Sequence, residues 1–284
     1  MKKQNVLQII KSNKERFTPQ QIKIASYVLN NSEKVAFLTA TQLAKEIGVS
    51  QPTVIRFVQS LDFPKYYLFL EAFQELLKAE LTSTDRFNLS LESKSSASEG
   101  TSNIILQELR TLTIFAREFP QESFNRAVQQ ICKSNYVYVI GTRGSAALAR
   151  YFAYFLGKAK RNVFAITREA SDEYERLLHL RTEDLIVAIA FPRYPRETID
   201  IVRFCNKHGA NVLGITDKID SPLASLSKFY IIVPVTFSTI FDSYSSAFCL
   251  FNMIVTEVGR ANKVESADLF REFEEVVREL KIFV

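Results

Sequence analysis

The sequence predicts two folds in tandem, an all-α domain carrying a helix-turn-helix and then a parallel, five-stranded, flavodoxin-like α/β domain. Two rhythms lead to this. Over the first 81 residues apolar positions recur at helical spacing; from Tyr136 onward, short β-branched runs alternate with helical segments, as in a parallel sheet covered on both faces. Between them, residues 82–103 are rich in Ser and Thr and poor in large apolar side chains, which is linker composition. The expected domains are therefore 1–81 and 104–284, joined by 82–103.

In the first domain, Thr18-Pro19 opens a helix to about Asn30, with Ile22, Ala25, Val28 and Leu29 as its inner stripe, and Ser32 caps a shorter helix. Residues 39–61, TATQLAKEIGVSQPTVIRFVQSL, read as helix, tight turn and second helix. Leu43, Ala44 and Ile47 share one face, and Gly48 stands where a chain leaving a helix takes φ > 0. Val49 turns inward, Ser50 occupies the N-cap position and Pro52 the first turn. Val54, Phe57, Val58 and Leu61 form the inner face of the second helix. Its outer face carries Gln51, Thr53, Arg56, Gln59 and Ser60, with no acid among them. Such side chains hydrogen-bond base edges and phosphates, which points to a DNA reader. An αα-corner without a nucleic-acid role shares the outline. Arg56 is the expected base or phosphate contact, supported by Ser50, Gln51, Thr53 and Gln59, with Lys45 and Lys65 toward phosphates; Ile55 meets a thymine methyl or packs. Phe63-Pro64 breaks the helix, and another runs over 65–81 with Phe69, Phe73, Leu76 and Leu77 inward.

After the linker, helices are expected over 104–119 and 122–133, then strands at 136–140, 162–166, 184–191, 211–216 and 229–235. The intervening helices fall at 145–159, 172–180, 197–208 and 222–226. A long helix follows at 241–260, and a charged one at 267–281 holds Leu269, Phe270, Phe273, Val276, Val277 and Leu280 inside.

Composition narrows the function. The chain has 284 residues, 47% apolar, and a formal net charge of +5. Residues 1–81 hold eleven basic and seven acidic side chains, so most of the surplus sits beside the helix-turn-helix, as phosphate attraction requires. Cys132, Cys205 and Cys249 are dispersed, with neither CxxC nor a Cys/His cluster, which argues against a disulfide framework and a zinc site. There is no P-loop, so neither metal nor cofactor is expected. The apolar part of the N-terminus is broken by Lys11, a poor secretion signal, and no apolar run approaches a membrane span. A reduced, cytoplasmic protein is expected.

Ligands of open parallel sheets bind beyond the carboxyl ends of the strands. Three strand ends qualify: Gly141-Thr142-Arg143-Gly144-Ser145, Pro192-Arg193-Tyr194-Pro195-Arg196-Glu197-Thr198, and 217–223, where Ser221 caps a helix begun by Pro222. The first lacks the GxGxxG of dinucleotide binding. Arg143, Arg193 and Arg196 are expected to converge near Ser145 and Thr198 at two helix N-termini, making a pocket for a phosphate or carboxylate.

The chain resembles the RpiR-type bacterial transcription regulators, whose second domain is a sugar-isomerase (SIS) domain. The resemblance rests on residues 18–63, on YVIGTRGSA (138–146), on DLIVAIAFPRYPRET (184–198) and on GANVLGITDKIDSPLA (209–224). It implies a symmetric dimer or tetramer binding double-stranded DNA, with affinity controlled by an anionic small molecule in the SIS domain. SIS domains commonly hold a phosphate in a Ser-x-Ser-Gly-x-Thr loop after the third strand. Here that loop is Arg193-Tyr194-Pro195-Arg196-Glu197-Thr198, and only Thr198 survives. The effector is then a phosphosugar or another acid such as a sugar acid. Two alternatives stand beside this: an aldose–ketose isomerase with a regulatory head, for which Glu197 and Asp242 are the available bases and His179 and His208 are poorly placed, and a SIS domain that only dimerises.

Overall fold

The computed structural model describes residues 6–36, 38–77, 84–85, 97–167, 173–236 and 241–283. The chain divides into two compact units, one of residues 1–107 with 236–243 and the other of residues 108–235 with 244–284. Most of the expected linker lies outside the described residues. Its last seven residues are helical, because the helix expected from Ile104 already begins at Ala97.

The first unit is helical: α1 (Val6–Ser12), a single 3-10 turn, α2 (Pro19–Asn30), α3 (Ser32–Val35), α4 (Ala40–Ile47), α5 (Gln51–Gln59) and α6 (Tyr66–Leu77). Side chains at the helix starts explain the boundaries. Thr18 and Gln21 form a reciprocal capping box on α2, and Thr39 and Gln42 form another on α4. Gly48 ends α4 at φ +73°, and the Val49 N–H then donates to Ala44 O at 3.0 Å. Inside lie Ile24, Leu43, Val54, Phe57, Val58, Phe69 and Phe73. The Phe57 ring meets Phe17 at 5.3 Å and Phe69 at 6.5 Å, both edge-on.

Three expectations change here. The inner stripe of α2 is Ile24, Ala25 and Val28, which share one face at i, i+1, i+4, while Ile22 is 40% exposed. Ser32 does not cap α3; it lies within it, because Asn31 ends α2 by donating its side-chain amide to Tyr27 O at 2.9 Å and α3 starts at once. Helix α1 was not anticipated, although its buried Val6 and Ile10 stand four apart on one face.

The second unit contains α7 (Ala97–Arg117, beginning in the first unit), α8 (Gln121–Lys133), α9 (Gly144–Leu156), α10 (Arg196–Lys207), α11 (Pro222–Leu226), α12 (Ser245–Ala261) and α13 (Lys263–Leu280). Its strands are β1 (Val137–Ile140), β2 (Val163–Ile166), β3 (Leu185–Ile189), β4 (Asn211–Thr216) and β5 (Phe229–Ile232), all parallel in the order β2-β1-β3-β4-β5. Alternation along the strands sorts two cores. Val137, Val139, Leu185, Val187 and Ile215 face one layer with Phe124 and Ile131 of α8, Phe152 of α9 and Phe251 of α12. Tyr138, Ile140, Ile186, Ala188 and Val212 face the other, with Ile199 and Val202 of α10 and Leu223 of α11.

Three further differences follow. The helix expected at 172–180 is a 3-10 segment over Glu175–His179. The helix expected from Phe241 starts at Ser245, because Ser243 is engaged with Thr236 through backbone hydrogen bonds of 3.4 and 3.0 Å. The apolar side chains of α13, all expected inside, divide: Leu269, Phe273 and Val277 are half-buried, while Phe270, Val276 and Leu280 are exposed.

Gly48→Ala is expected to destabilise the helical unit by about 1 kcal/mol through backbone strain alone, since no atom lies within 4 Å of the added Cβ. Phe57→Ala is expected to cost about 3–5 kcal/mol by leaving a core cavity. Urea denaturation followed by circular dichroism measures both.

Candidate functional site

The first site is α5 and its approach. The Ser50 hydroxyl accepts from Thr53 N–H at 3.4 Å and stands 2.7 Å from Thr53 Oγ1. This pairing draws Thr53 inward, so it is 8% exposed and leaves the outer face on which the sequence placed it. Gln51, Arg56 and Gln59 are exposed on α5, as is Lys45 in the last turn of α4. Lys65 is exposed as well, its ammonium 5.9 Å from the Tyr67 ring centroid. Glu46 of α4 bonds both the Lys34 ammonium at 3.0 Å and the Tyr27 hydroxyl at 3.1 Å, which ties α4 to α2 and α3. Burial and the Glu46 bond raise the Tyr27 pKa, so the hydroxyl stays a donor at neutral pH.

The second site lies where β1 and β3 pair side by side. The chain leaves β1 toward α9 and leaves β3 toward α10, so the strand order reverses between them and a crevice opens at their carboxyl ends. Gly141 follows β1 directly; a Cβ there would stand 2.5 Å from Ser145 O, so the residue type is dictated by the tight entry into α9. Across the crevice, the Thr142 N–H donates to Thr198 Oγ1 at 3.1 Å, and the two hydroxyls are 2.9 Å apart. Thr142, Thr198 and Ser145 are all buried and form the floor.

Both loops carry an arginine in the left-handed region, Arg143 at φ +57° and Arg193 at φ +66°. Such backbone costs of order 1–3 kcal/mol per residue and persists only where the surroundings enforce it. Both side chains are exposed at the rim. Tyr194 fastens the second loop by donating its hydroxyl to Asp217 Oδ1 at 2.7 Å, beyond β4. Thr216 extends this network by donating to Asp217 and to Ser221, whose hydroxyl caps α11 by accepting from Ala224 N–H at 3.0 Å. Arg196 departs from the expected cluster. Its side chain is 93% exposed and lies 3.4 Å from Asp200 one turn along α10, because an i,i+4 charge pair is available on its own helix.

None of the three helices starting at this edge has a side-chain cap: Arg143 precedes α9, Pro195 precedes α10 and Tyr244 precedes α12. The dipole at these helix ends favours an anion, and in α9 the Ser145 and Ala146 N–H groups already donate to Thr142 O and Arg143 O. Tyr244 packs on Phe191 at 5.1 Å, and its hydroxyl is 3.8 Å from where a Cβ on Gly144 would be. Sequence reasoning missed this residue because the helix was expected to begin at Phe241. At the end of β2, the Glu173 carboxylate accepts from both the N–H and the hydroxyl of Thr167, a cross-loop pair with no local spacing to announce it. The histidines lie elsewhere: His208 follows α10 with Nδ1 2.9 Å from Phe204 O, and His179 is exposed in the 3-10 segment.

Comparison with known proteins agrees with this division. A helix-turn-helix domain model of the rpiR family matches residues 4–79, and a SIS domain model matches residues 130–257. The chain is similar to the sugar isomerase domain of an RpiR transcription factor from Sphaerobacter thermophilus, at 20% identity, covering 62% of this chain and 98% of that one with a TM-score of 0.58. It is similar over 97% of its length, and 99% of the other's, to the Vibrio vulnificus NanR protein complexed with ManNAc-6P, at 22% identity and a TM-score of 0.56. An Escherichia coli CFT073 protein, solved as a complex, matches 63% of this chain and 100% of its own, at 17% identity and a TM-score of 0.53. At these identities the structural likeness shows the fold. Among the described residues, no helix is long and apolar enough to cross a membrane. With one model spanning its helical unit and the other its α/β unit, this chain belongs to the RpiR-type family of helix-turn-helix and SIS regulators.

Proposed function

We propose that the chain is a cytoplasmic transcription regulator in which residues 1–81 read an operator and residues 104–284 sense an anionic metabolite. The observation that carries this is the pairing of a capped helix-turn-helix, bearing an acid-free outer face, with an α/β crevice framed by two arginines and the N-termini of three helices. A symmetric dimer presents two copies of α5 to half-sites one helical turn, or a multiple, apart. Arg56, Gln51 and Gln59 contact bases or phosphates; Lys45 and Lys65 contact phosphates; Ser50 and Thr53 set the start of the reading helix.

The effector is a phosphosugar or a sugar acid. A regulator similar in fold over nearly its whole length is complexed with ManNAc-6P, which supports this class. Arg143 and Arg193 supply charge at the rim, Gly144 and the first turn of α10 supply N–H groups, and Ser145 supplies its hydroxyl. Thr142 and Thr198 hold the two loops together, and Tyr194 holds the arginine loop against β4. The ligand alters DNA affinity only by binding one arrangement of the two readers better than another. The same fold supports isomerases, but no histidine stands at this edge among the described residues, and Glu197 and Asp242 sit close to helix N-termini, where acids complement the dipole. The chain is read as a regulator and not as an isomerase. Solvent proton exchange at C1 or C2 of a sugar phosphate in heavy water would overturn that reading.

Three outcomes test the proposal. Against duplexes selected from a random library by the full-length protein, Arg56→Ala weakens binding by about 1–3 kcal/mol in an anisotropy titration; unchanged affinity removes Arg56 from the interface. In a thermal-shift screen of phosphosugars and sugar acids, a ligand at a hundred times its Kd stabilises the protein by about 2.7 kcal/mol. Arg143→Ala and Arg193→Ala abolish that shift; a wide panel with no hit favours a domain that only dimerises. Thr198→Val, by contrast, lowers the ligand-free stability by about 1–3 kcal/mol, because the Thr142 N–H is left buried without its acceptor.

A further inference from the structure

Helix α13 is amphipathic, with Leu269, Phe273, Val276, Val277 and Leu280 at spacings of three and four. Its base is fastened to the end of α9 and the turn beyond it. Ser266 donates to Ala159 O at 2.8 Å, Glu265 accepts from Arg161 N–H at 2.9 Å, and Glu272 takes the Arg161 guanidinium in a two-pronged pair. The Lys158 ammonium lies 3.2 Å from the Phe273 ring centroid. Beyond Phe273, among the described residues, no hydrogen bond or ion pair ties the helix to the rest of the chain. There Val276, Leu280, Ile282 and Phe283 are 48%, 69%, 50% and 69% exposed, and Phe270 is 53% exposed. With about 150–250 Å² for a large side chain, this arm leaves on the order of 500 Å² of apolar surface in water, as much as the largest patch of a typical monomer and a mark of an interaction site.

The same unit carries a groove of about 760 Å³ between α8 and α12. Phe119, Phe124, Val128, Cys132 and Met253 give it an apolar lining, and amides such as Gln129 and Asn252 line it as well. No residue of α13 lines it. The groove runs along Gln121 to Lys133 of α8 and Cys249 to Ala261 of α12, about 18 Å of helix; Phe270 to Leu280 of the arm spans about 15 Å.

We propose that α13 is an exchanged arm, and that the free end of each α13 lies in the α8–α12 groove of a second copy of this chain. A two-fold pair makes the contact twice, arm to groove and groove to arm. Two arms of on the order of 500 Å² each, with the smaller apolar faces of the two grooves, bury on the order of 1,200 Å², the lower end of the roughly 1,200–2,000 Å² of a stable interface. Seating follows the helix-in-groove mode, an apolar stripe laid into an apolar channel with a polar margin. The inference goes beyond the proposed function by assigning the surfaces that join the two sensing domains.

The groove contains its own reporters. Cys249 is exposed, whereas Cys205 is buried, its thiol pushed up to about 12 by burial, and so stays silent toward maleimides. In a full-length Cys132→Ser chain, Leu280→Cys treated with a short bismaleimide should give a covalent species of twice the 32.5 kDa chain on a denaturing gel, lost when Cys249→Ser is added. The double variant Leu280→Glu with Phe283→Glu should raise the dimer dissociation constant at least tenfold by sedimentation equilibrium, with unchanged circular dichroism. A covalent dimer that persists without Cys249 means that the arms pair with each other, and a cross-link confined to one chain means that each arm closes on its own groove; either overturns the proposal. A dimer undiminished in the double variant overturns the arm exchange alone, whereas a monomeric wild-type chain overturns both the exchange and the paired reader.

Discussion

Parallel pairing of β1 with β2 on one side and β3 on the other is the constraint on which the sensing half depends. Parallel strands must be joined by crossovers, and the crossovers leaving β1 and β3 go to opposite faces of the sheet, α9 to one and α10 to the other. The two loops therefore part at the carboxyl edge, and a crevice is unavoidable. The contact between Thr142 and Thr198 closes its floor with two buried hydroxyls and a backbone N–H. Above that floor stand two arginines at positive φ, and the Tyr194–Asp217 bond braces the loop of the second.

That floor also changes what the loop can recognise. In the family pattern, small hydroxyls and backbone donors after the third strand hold the phosphate. Here the surviving threonine is already engaged by Thr142, and Pro192 and Pro195 have no N–H to offer. In the proposed site, charge at the rim and the helix dipoles take the place of the cradle. A cationic rim tolerates a wider range of anions than a loop shaped around one phosphate, since guanidinium groups pair with carboxylate and phosphate alike.

The reading half depends on caps more than on propensity. Helices α4 and α5 are eight and nine residues long, too short to persist alone, and their ends are defined by Thr39, Gly48 and Ser50 while Leu43, Val54 and Phe57 supply the burial. The same Ser50–Thr53 pairing that starts α5 removes Thr53 from its outer face, so the exposed polar face is narrower than the residue types alone suggest and is left to Gln51, Arg56 and Gln59.

The sequence by itself determined the fold class, the order of the elements apart from α1 and the 3-10 segment, the turn of the helix-turn-helix and the five strands, because these follow from local periodicity, caps and breakers acting over a few residues. Gly48, Ser50-Gln51-Pro52 and Ser221-Pro222 were legible for that reason. Only the tertiary structure decided which loops meet. The Thr142–Thr198 and Tyr194–Asp217 bonds span 56 and 23 residues, and no local pattern announces them. It also decided that Arg196 turns to Asp200 on its own helix instead of joining the other arginines, a choice between two partners that composition leaves equal. The stripe of α13 makes the same point from the other side. Helical spacing told that Phe273, Val277 and Leu280 share a face, but whether that face is covered depends on what the fold brings against it: Phe273 and Val277 are half-buried, whereas Leu280 is 69% exposed.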